Sequence, residues 1–263
     1  MTEGDDAPVL LVETRDRIRV LTLNRPYVRN ALSQELRTRF FAALAEVDDD
    51  DTVDVVIVTG ADPAFCAGLD LADLAQSGVR GEQRTLASSI GRELIPRTMK
   101  PIVGAVNGPA VTGGLELALS CDFLIASVRA TFADTHARVG VMPGAGMTIR
   151  LPQAVGISRA RQMSLTGNFI DASTALAWGL VSEVVPHEMV VARATELARA
   201  IGESDPTTIA ELRSMYETFA GRSDADALAE EARWSARWMT ERFDADALFE
   251  SKDRIIRRGS SQQ

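Results

Sequence analysis

The sequence predicts an α/β fold built on crossover connections, followed by an all-helical tail. Three observations predict it. The runs "VDVVIVTG", "PIVGAV" and "DFLIAS" are short and continuously apolar, as expected of strands buried on both faces. Helical sequence separates them, and strands that alternate with helices imply parallel pairing through crossovers. Beyond about residue 187 the strand-like runs stop and helical patterning takes over.

Taken in order, "VLLVET" and "IRVLTLN" flank the turn-like "RDR" and read as a hairpin. "NRPYVRNAL" is a loop. Ser33 is positioned as N-cap of a helix over "QELRTRFFAALAEVDDD", where Leu36, Phe40, Leu44 and Val47 recur at helical spacing. The run Asp48 to Asp51 lacks liganding spacing and is expected to be a solvated helix end. In the tail, "HEMVVARATELARAIG", "PTTIAELRSMYETFAG", "ADALAEEARWSARWMTERF" and "ADALFESKDRIIRR" each predict a helix, and "GSSQQ" reads as a frayed end. Trp234 and Trp238 are four apart and share one helix face, for packing or for a subunit contact.

Composition narrows the function. The chain has 263 residues, 46% hydrophobic and 25% charged, which allows one large domain or a domain with an appendage. Its net charge of −9 argues against a nucleic-acid partner but permits a small anion held by local arginines. Cys66 and Cys121 are the two cysteines, which suits a reducing, cytoplasmic setting without a disulfide framework. The acidic start "MTEGDDAPVL" has no signal-peptide character, and no apolar run is long enough to span a membrane. There is neither a clustered His/Cys set nor a dinucleotide fingerprint, so no metal or redox cofactor is expected.

Three stretches carry candidate chemistry. "GADPAFCAGLDL" follows a strand directly, the usual place for ligands in α/β sheets, and Ala67-Gly68 permits a tight turn with close backbone approach. "PIVGAVNGPAVTGGLELAL" reads as strand, glycine-rich turn and helix, so free N–H groups near Gly113 can meet negative charge. Glu116 follows within the first turn, where complementing the helix dipole is its plain role. "ATFADTHARVGVMPGAGMTIRLP" joins one of the chain's two histidines, His136, to a Gly-Pro-rich turn.

Read together, these stretches resemble the enoyl-CoA hydratase/isomerase (crotonase) superfamily. The similarity runs through "LTLNRPYVRNALS", "AFCAGLDL", "KPIVGAVNGPAVTGGLELALSCDFLIAS", "VGVMPGAGMTIRLPQAVG" and "MSLTGNFIDASTALAWGLVSEVVP", and weakens in the tail. The resemblance implies a crotonase-like spiral of ββα units with a C-terminal helical trimerisation region. Residues 8–200 are expected to form the acyl-CoA-binding core and 201–258 the helical oligomerisation region. A homotrimer or dimer of trimers follows by analogy, with an acyl-CoA substrate, no nucleic-acid or membrane partner, and no cofactor beyond the coenzyme A of the substrate.

The resemblance also assigns residues. The backbone N–H groups of Leu69 and Gly113 map to an oxyanion hole, which suits a reaction that concentrates charge on a thioester oxygen. Val28, Arg29, Ala31 and Ala67 map to the CoA contacts, with Arg29 able to approach a phosphate. Asp70 is expected to cap the following helix. Glu116 occupies the first of the two glutamate positions used by hydratases of the family.

The second position departs from the pattern. His136 stands where the second glutamate belongs, within Phe132-Ala133-Asp134-Thr135-His136. A histidine titrates near neutrality and can take over an acid role, while Asp134, on the same face if the segment is extended, can contribute a carboxylate instead. The alternative for His136 is a satisfied residue lining the pocket. Thr112 replaces the first glycine of the family's triplet, and its hydroxyl can narrow the acyl pocket or bond nearby backbone. Cys66 and Cys121 are expected to be packed thiols, His187 a surface residue, and Arg150 a pocket-orienting residue or the partner of an acid.

The expected function is hydration of a 2-enoyl-CoA, with Glu116 as base and His136 as acid. Enoyl-CoA isomerisation, thioester hydrolysis and inactive acyl-CoA binding are the alternatives that the single retained glutamate leaves open.

Overall fold

In the computed structural model, strands β1 (Leu10–Arg15) and β2 (Ile18–Leu23) form the expected antiparallel hairpin. Asp16 and Arg17 between them both adopt positive φ, at 51° and 63°, the conformation a two-residue hairpin turn requires. The structure describes residues 7–70, 73, 95 and 98–243. The helix expected over "ADALFESKDRIIRR" and the "GSSQQ" end lie outside the described residues.

The three apolar runs become β3 (Val55–Gly60), β4 (Ile102–Val106) and β6 (Phe123–Ser127). With β9 (Glu183–Val185) they extend the hairpin into a sheet of order β1-β2-β3-β4-β6-β9, parallel from β2 onward. Alternation along β3 explains its unbroken apolar character. Val56 and Val58 join the larger core with Leu36, Phe40 and Leu44 of α1 (Gln34–Ala45). Val55 and Ile57 join a second cluster with Val103, Ile125 and the Val190, Ala194 and Ala198 face of α7 (Val190–Gly202). Both faces exclude water, and the one polar side chain of β3, Thr59, is buried with its hydroxyl donating to the Ala105 carbonyl at 2.8 Å.

Helix α1 is capped as expected: Ser33 Oγ accepts from the Leu36 N–H at 3.2 Å. It ends earlier than its pattern suggests. Val47 is buried beyond the last helical turn. In the acidic run after it Asp48, Asp49 and Asp51 are exposed, as expected of a solvated end, and Asp50 is half-buried. Asp48 accepts from the Thr98 hydroxyl and the Met99 N–H, at 2.5 and 2.9 Å. Asp50 accepts from Thr52 and from Arg19. Short acidic side chains satisfy local backbone donors better in a turn than in a helix.

A second, three-stranded sheet positions the chemistry. β5 (Ala110–Val111) pairs in parallel with β7 (Thr131–Ala133), which pairs antiparallel with β8 (Ile170–Asp171). The register sets Val111 beside Ala133. One residue later both chains leave the sheet, toward α2 (Gly113–Ala118) and α3 (His136–Val139). Helices α4 (Met147–Val155), α5 (Ile157–Thr166) and α6 (Ala172–Trp178) follow in order.

Chain contacts divide the molecule into two compact units, Met1–Glu211 and Leu212–Gln263. Of the four helices expected in the tail, three are described: α7, α8 (Pro206–Phe219) and α9 (Asp224–Glu241). Within the second unit Trp234 meets Phe219 edge-on at 6.0 Å, and the Arg237 guanidinium lies 5.0 Å over its ring.

Candidate active site

Glu116 is buried in α2, every residue of which is buried. Glu116 lies in the first turn, and its Oε1 is bonded outside its own helix. It accepts from the Ala145 N–H at 2.8 Å and the Met147 N–H at 3.3 Å, at the start of α4. The glycine-rich turn "VMPGAG" therefore supplies donors to the carboxylate, and Gly146, at φ 104°, permits the bend. Arg150 braces the turn by donating to Ala145 O and to Ser120 Oγ, whose hydroxyl bonds the Glu116 carbonyl. Held at one oxygen, Glu116 presents the other, Oε2.

His136 stands opposite. The segment around it is not extended: β7 ends at Ala133 and His136 is the first residue of α3. The turn still joins Asp134 to it, because Asp134 Oδ1 accepts from both the His136 backbone N–H, at 3.2 Å, and Nδ1, at 2.6 Å. Burial works against the charge on Asp134. The His136 ring, the Ser164 hydroxyl and the His136 backbone N–H outweigh it and hold the carboxyl below its usual range. An ionised carboxylate only accepts, so Nδ1 carries the proton. The other ring nitrogen, Nε2, lies 3.8 Å from Glu116 Oε2, longer than a direct hydrogen bond and suited to a small group held between them.

Leu69 and Gly113 come together across the strand ends. A parallel bridge joins Leu32 to Leu69 through the Gly68 carbonyl, 2.7 Å from the Leu32 N–H, and the Asp70 N–H, 3.4 Å from the Leu32 carbonyl. In such a bridge the amide of Leu69 itself points to the opposite side. That side holds Gly113: a β-carbon there would sit 3.6 Å from Leu69 N and 3.5 Å from Gly68 Cα. At Gly114 it would sit 2.0 Å from the Cys66 carbonyl, so only glycine fits.

The loop before α1 packs onto the same strand end. Arg29 is exposed and Ala31 buried, while Val28 is exposed and Ala67 half-buried. The Ala67 N–H donates to the Arg29 carbonyl at 3.0 Å. Asn30, which no motif singled out, holds the loop: it is buried, accepts from the Arg25 N–H, and donates to the carbonyls of Ala61 and Ala64 at 2.7 Å each. Its signal is an asparagine in the loop just before the Ser33 cap, a type that tolerates its φ of 57°. Asp70 accepts from the Asp73 N–H at 3.4 Å, in cap-like spacing, and is also tied to Arg25 at 2.8 Å.

Thr112 does bond its surroundings. Its Oγ1 lies 2.5 Å from Thr135 Oγ1 and accepts from the Thr135 N–H at 3.3 Å. Cys66 is packed as expected, and burial pushes its thiol up to about 12, against a backbone contact from Gly68. Burial likewise pushes the Cys121 thiol up. His187, expected at the surface, is half-buried. Its Nε2 meets Asp62 Oδ2 at 2.9 Å and its Nδ1 meets the buried Ser127 Oγ at 3.0 Å, because the chain turns back over the strand ends there.

A family model described as enoyl-CoA hydratase/isomerase matches residues 13–251. The chain belongs to the enoyl-CoA hydratase/isomerase family. Its fold is the crotonase fold. A crystal structure of an enoyl-CoA hydratase from Mycobacterium smegmatis is 50% identical, covers 89% of this chain and 99% of its own, and superposes with a TM-score of 0.74. A probable peroxisomal enoyl-CoA hydratase of Arabidopsis thaliana is 37% identical over 198 residues, 75% of this chain and 74% of the plant protein. A crotonyl-CoA hydratase of Syntrophomonas wolfei is also 37% identical, over 196 residues, 73% of this chain and 75% of its own length. Membership alone does not choose the acid and base of this member; the geometry around Glu116 and His136 bears on that.

Proposed function

We propose that this family member is an enoyl-CoA hydratase-type lyase that adds water across the double bond of a 2-enoyl-CoA. The carrying observation is the convergence of Glu116 Oε2 and His136 Nε2, 3.8 Å apart. In the addition, Glu116 takes a proton from water as its oxygen bonds to Cβ. The electron pair of the double bond moves onto the thioester oxygen, which meets the N–H groups of Leu69 and Gly113. The enolate then collapses and Cα takes the Nε2 proton of His136 in its doubly protonated form, while Nδ1 keeps the proton it shares with Asp134. Glu116 then passes the proton it took from water to Nε2, which restores both groups. Two groups of opposite protonation state on one substrate face are what this sequence of steps needs. Fixed N–H donors on the developing oxyanion typically contribute about 10²–10³ each in rate.

Val28, Arg29, Ala31 and Ala67 form the proposed CoA-binding edge, with the exposed Arg29 guanidinium directed to phosphate. The addition is redox-neutral, and water with one acid and one base supplies every atom and proton, so no cofactor is required. A homotrimer or dimer of trimers is supported by the exposed Val139, Met142, Ile149, Leu165 and Phe169 on and beside α3 to α5, which a second copy would cover. The helical region from residue 201 to 258 serves assembly in this reading. A cytoplasmic location is supported by the two unpaired cysteines, and no described helix is long and apolar enough to cross a membrane.

The test is loss of enoyl-thioester absorbance with crotonyl-CoA for the wild type, Glu116→Gln and His136→Ala. Turnover by the wild type that collapses in both variants supports the pair. Loss only in Glu116→Gln leaves His136 as pocket lining, and a wild type that binds the ester without turnover sinks hydration of this substrate.

A further inference from the structure

We infer that Asp134 is a positioning residue, and that Asp134 and His136 act in series to do the work of the family's second glutamate. The inference rests on the proposed acid role of His136.

An imidazole is a poor replacement for a carboxylate unless its orientation is settled. A carboxylate offers two equivalent oxygens, whereas an imidazole offers two distinct nitrogens on a ring that can flip. At this position a flip would turn the ring's donor away from the substrate. Asp134 removes that freedom. One oxygen, Oδ1, is bonded to the backbone N–H and the ring Nδ1 of the same residue, so ring and backbone are clamped together. Asp134 is itself buried and held by the Ser164 hydroxyl of α5, which anchors the pair to a helix rather than to a loop.

The clamp also selects the working nitrogen. With Nδ1 committed to Asp134, the nitrogen that faces Glu116 Oε2 is Nε2, and it is the only ring nitrogen left for substrate. A carboxylate that fixes the tautomer and direction of a working histidine commonly controls the rate by one or two orders of magnitude while touching no substrate.

The test compares kcat and KM for crotonyl-CoA in the intact wild type, Asp134→Asn, His136→Ala and the double variant, with thermal melts of each. The expected result is a kcat about 10–100-fold lower in Asp134→Asn with KM within about threefold. In the His136→Ala background the same substitution then costs less than about twofold, because the residue it positions is gone. Equal losses in both backgrounds make Asp134 a general structural residue and overturn the inference. Wild-type turnover in Asp134→Asn, while His136→Ala is inactive, overturns it and leaves the acid role of His136 standing. Wild-type turnover in His136→Ala overturns both. A second measurement needs no variant of Asp134: nitrogen NMR of histidine-labelled wild type, with the His136 signal assigned by its absence in His136→Ala. A proton held on Nδ1 supports the clamp, and a tautomer protonated only on Nε2 overturns it.

Discussion

Thr112 Oγ1 and Thr135 Oγ1 lie 2.5 Å apart, and each residue immediately precedes a residue of the site. Thr112 leads into Gly113 and Thr135 into His136. The pair thus ties the amide proposed to hold an oxyanion to the imidazole proposed to deliver a proton. It does so at a cost in the backbone, because Thr112 adopts φ 54° and ψ −113°, a conformation that side chains disfavour.

That cost separates two substitutions. Thr112→Gly relieves the conformation while losing the tie. Thr112→Val keeps the strain, loses the tie and leaves Thr135 without its partner. Thr112→Val is expected to be less stable than Thr112→Gly by about 1–3 kcal/mol in denaturant melts. Both should show reduced kcat. A valine variant as stable as the glycine variant would show that the strain is absent.

The two glycines that follow are expected to behave oppositely when changed to alanine. At Gly113 the new methyl meets only ordinary contacts, 3.5 Å from Gly68 Cα and 3.6 Å from Leu69 N. Gly113→Ala should fold with near-native melting but lose about 10²–10³ in kcat, because the methyl covers the Leu69 amide. Gly114→Ala forces a carbon to 2.0 Å from the Cys66 carbonyl and should be poorly folded. A fully active Gly113→Ala variant would remove these amides from the reaction.

Asn30→Ala leaves the Ala61 carbonyl and the Arg25 N–H without their side-chain partner, leaves the Ala64 carbonyl only the longer bond from Asn107 at 3.3 Å, and places alanine at φ 57°. A loss of about 2–4 kcal/mol in urea unfolding is expected. The loop carrying Val28 and Arg29 loosens with it, so KM for the CoA ester should rise more than kcat falls. An unchanged KM would detach this loop from ester binding.

The depressed Asp134 carboxyl also predicts a pH dependence. Burial opposes its charge, and its bonds to His136 and Ser164 more than compensate. A carboxyl whose folded value lies below its unfolded value contributes stability in full above about pH 4, and loses it as pH falls through the folded value. Asp134→Asn lacks that contribution at every pH. The gap in melting temperature between wild type and Asp134→Asn should therefore be widest near neutrality and shrink on acidification below about pH 4. A gap that widens in acid would contradict the depressed value.

Much of the fold was readable because long apolar periodicity survives any tertiary detail. The hairpin, the three buried strands, the Ser33 cap and the helices of the tail all follow from it. The strands β5, β7, β8 and β9 are two or three residues long, too short to show a period, and they passed unread. The half-burial of His187 and the bonds made by Asp48 and Asp50 were not legible for a related reason. Their partners, among them Asp62, Ser127, Thr98 and Arg19, are distant in sequence, and no local pattern encodes a contact across that distance.

By itself the sequence determined the α/β class, the family, and the list of residues from which a site can be made. Those follow from local composition, periodicity and ordered motifs. The tertiary structure decided what the residues do to one another. Glu116 reads in sequence as the first glutamate of the family's pair, in the first turn of its helix, and only in space is its Oε1 fixed by the Ala145 and Met147 N–H groups at the start of α4. Asp134 and His136 looked like alternatives, and the turn at the end of β7 makes them partners. The difference is physical: hydrogen bonds and close approaches depend on distances of a few tenths of an ångström between segments, which the register of the short β5–β7 pairing sets.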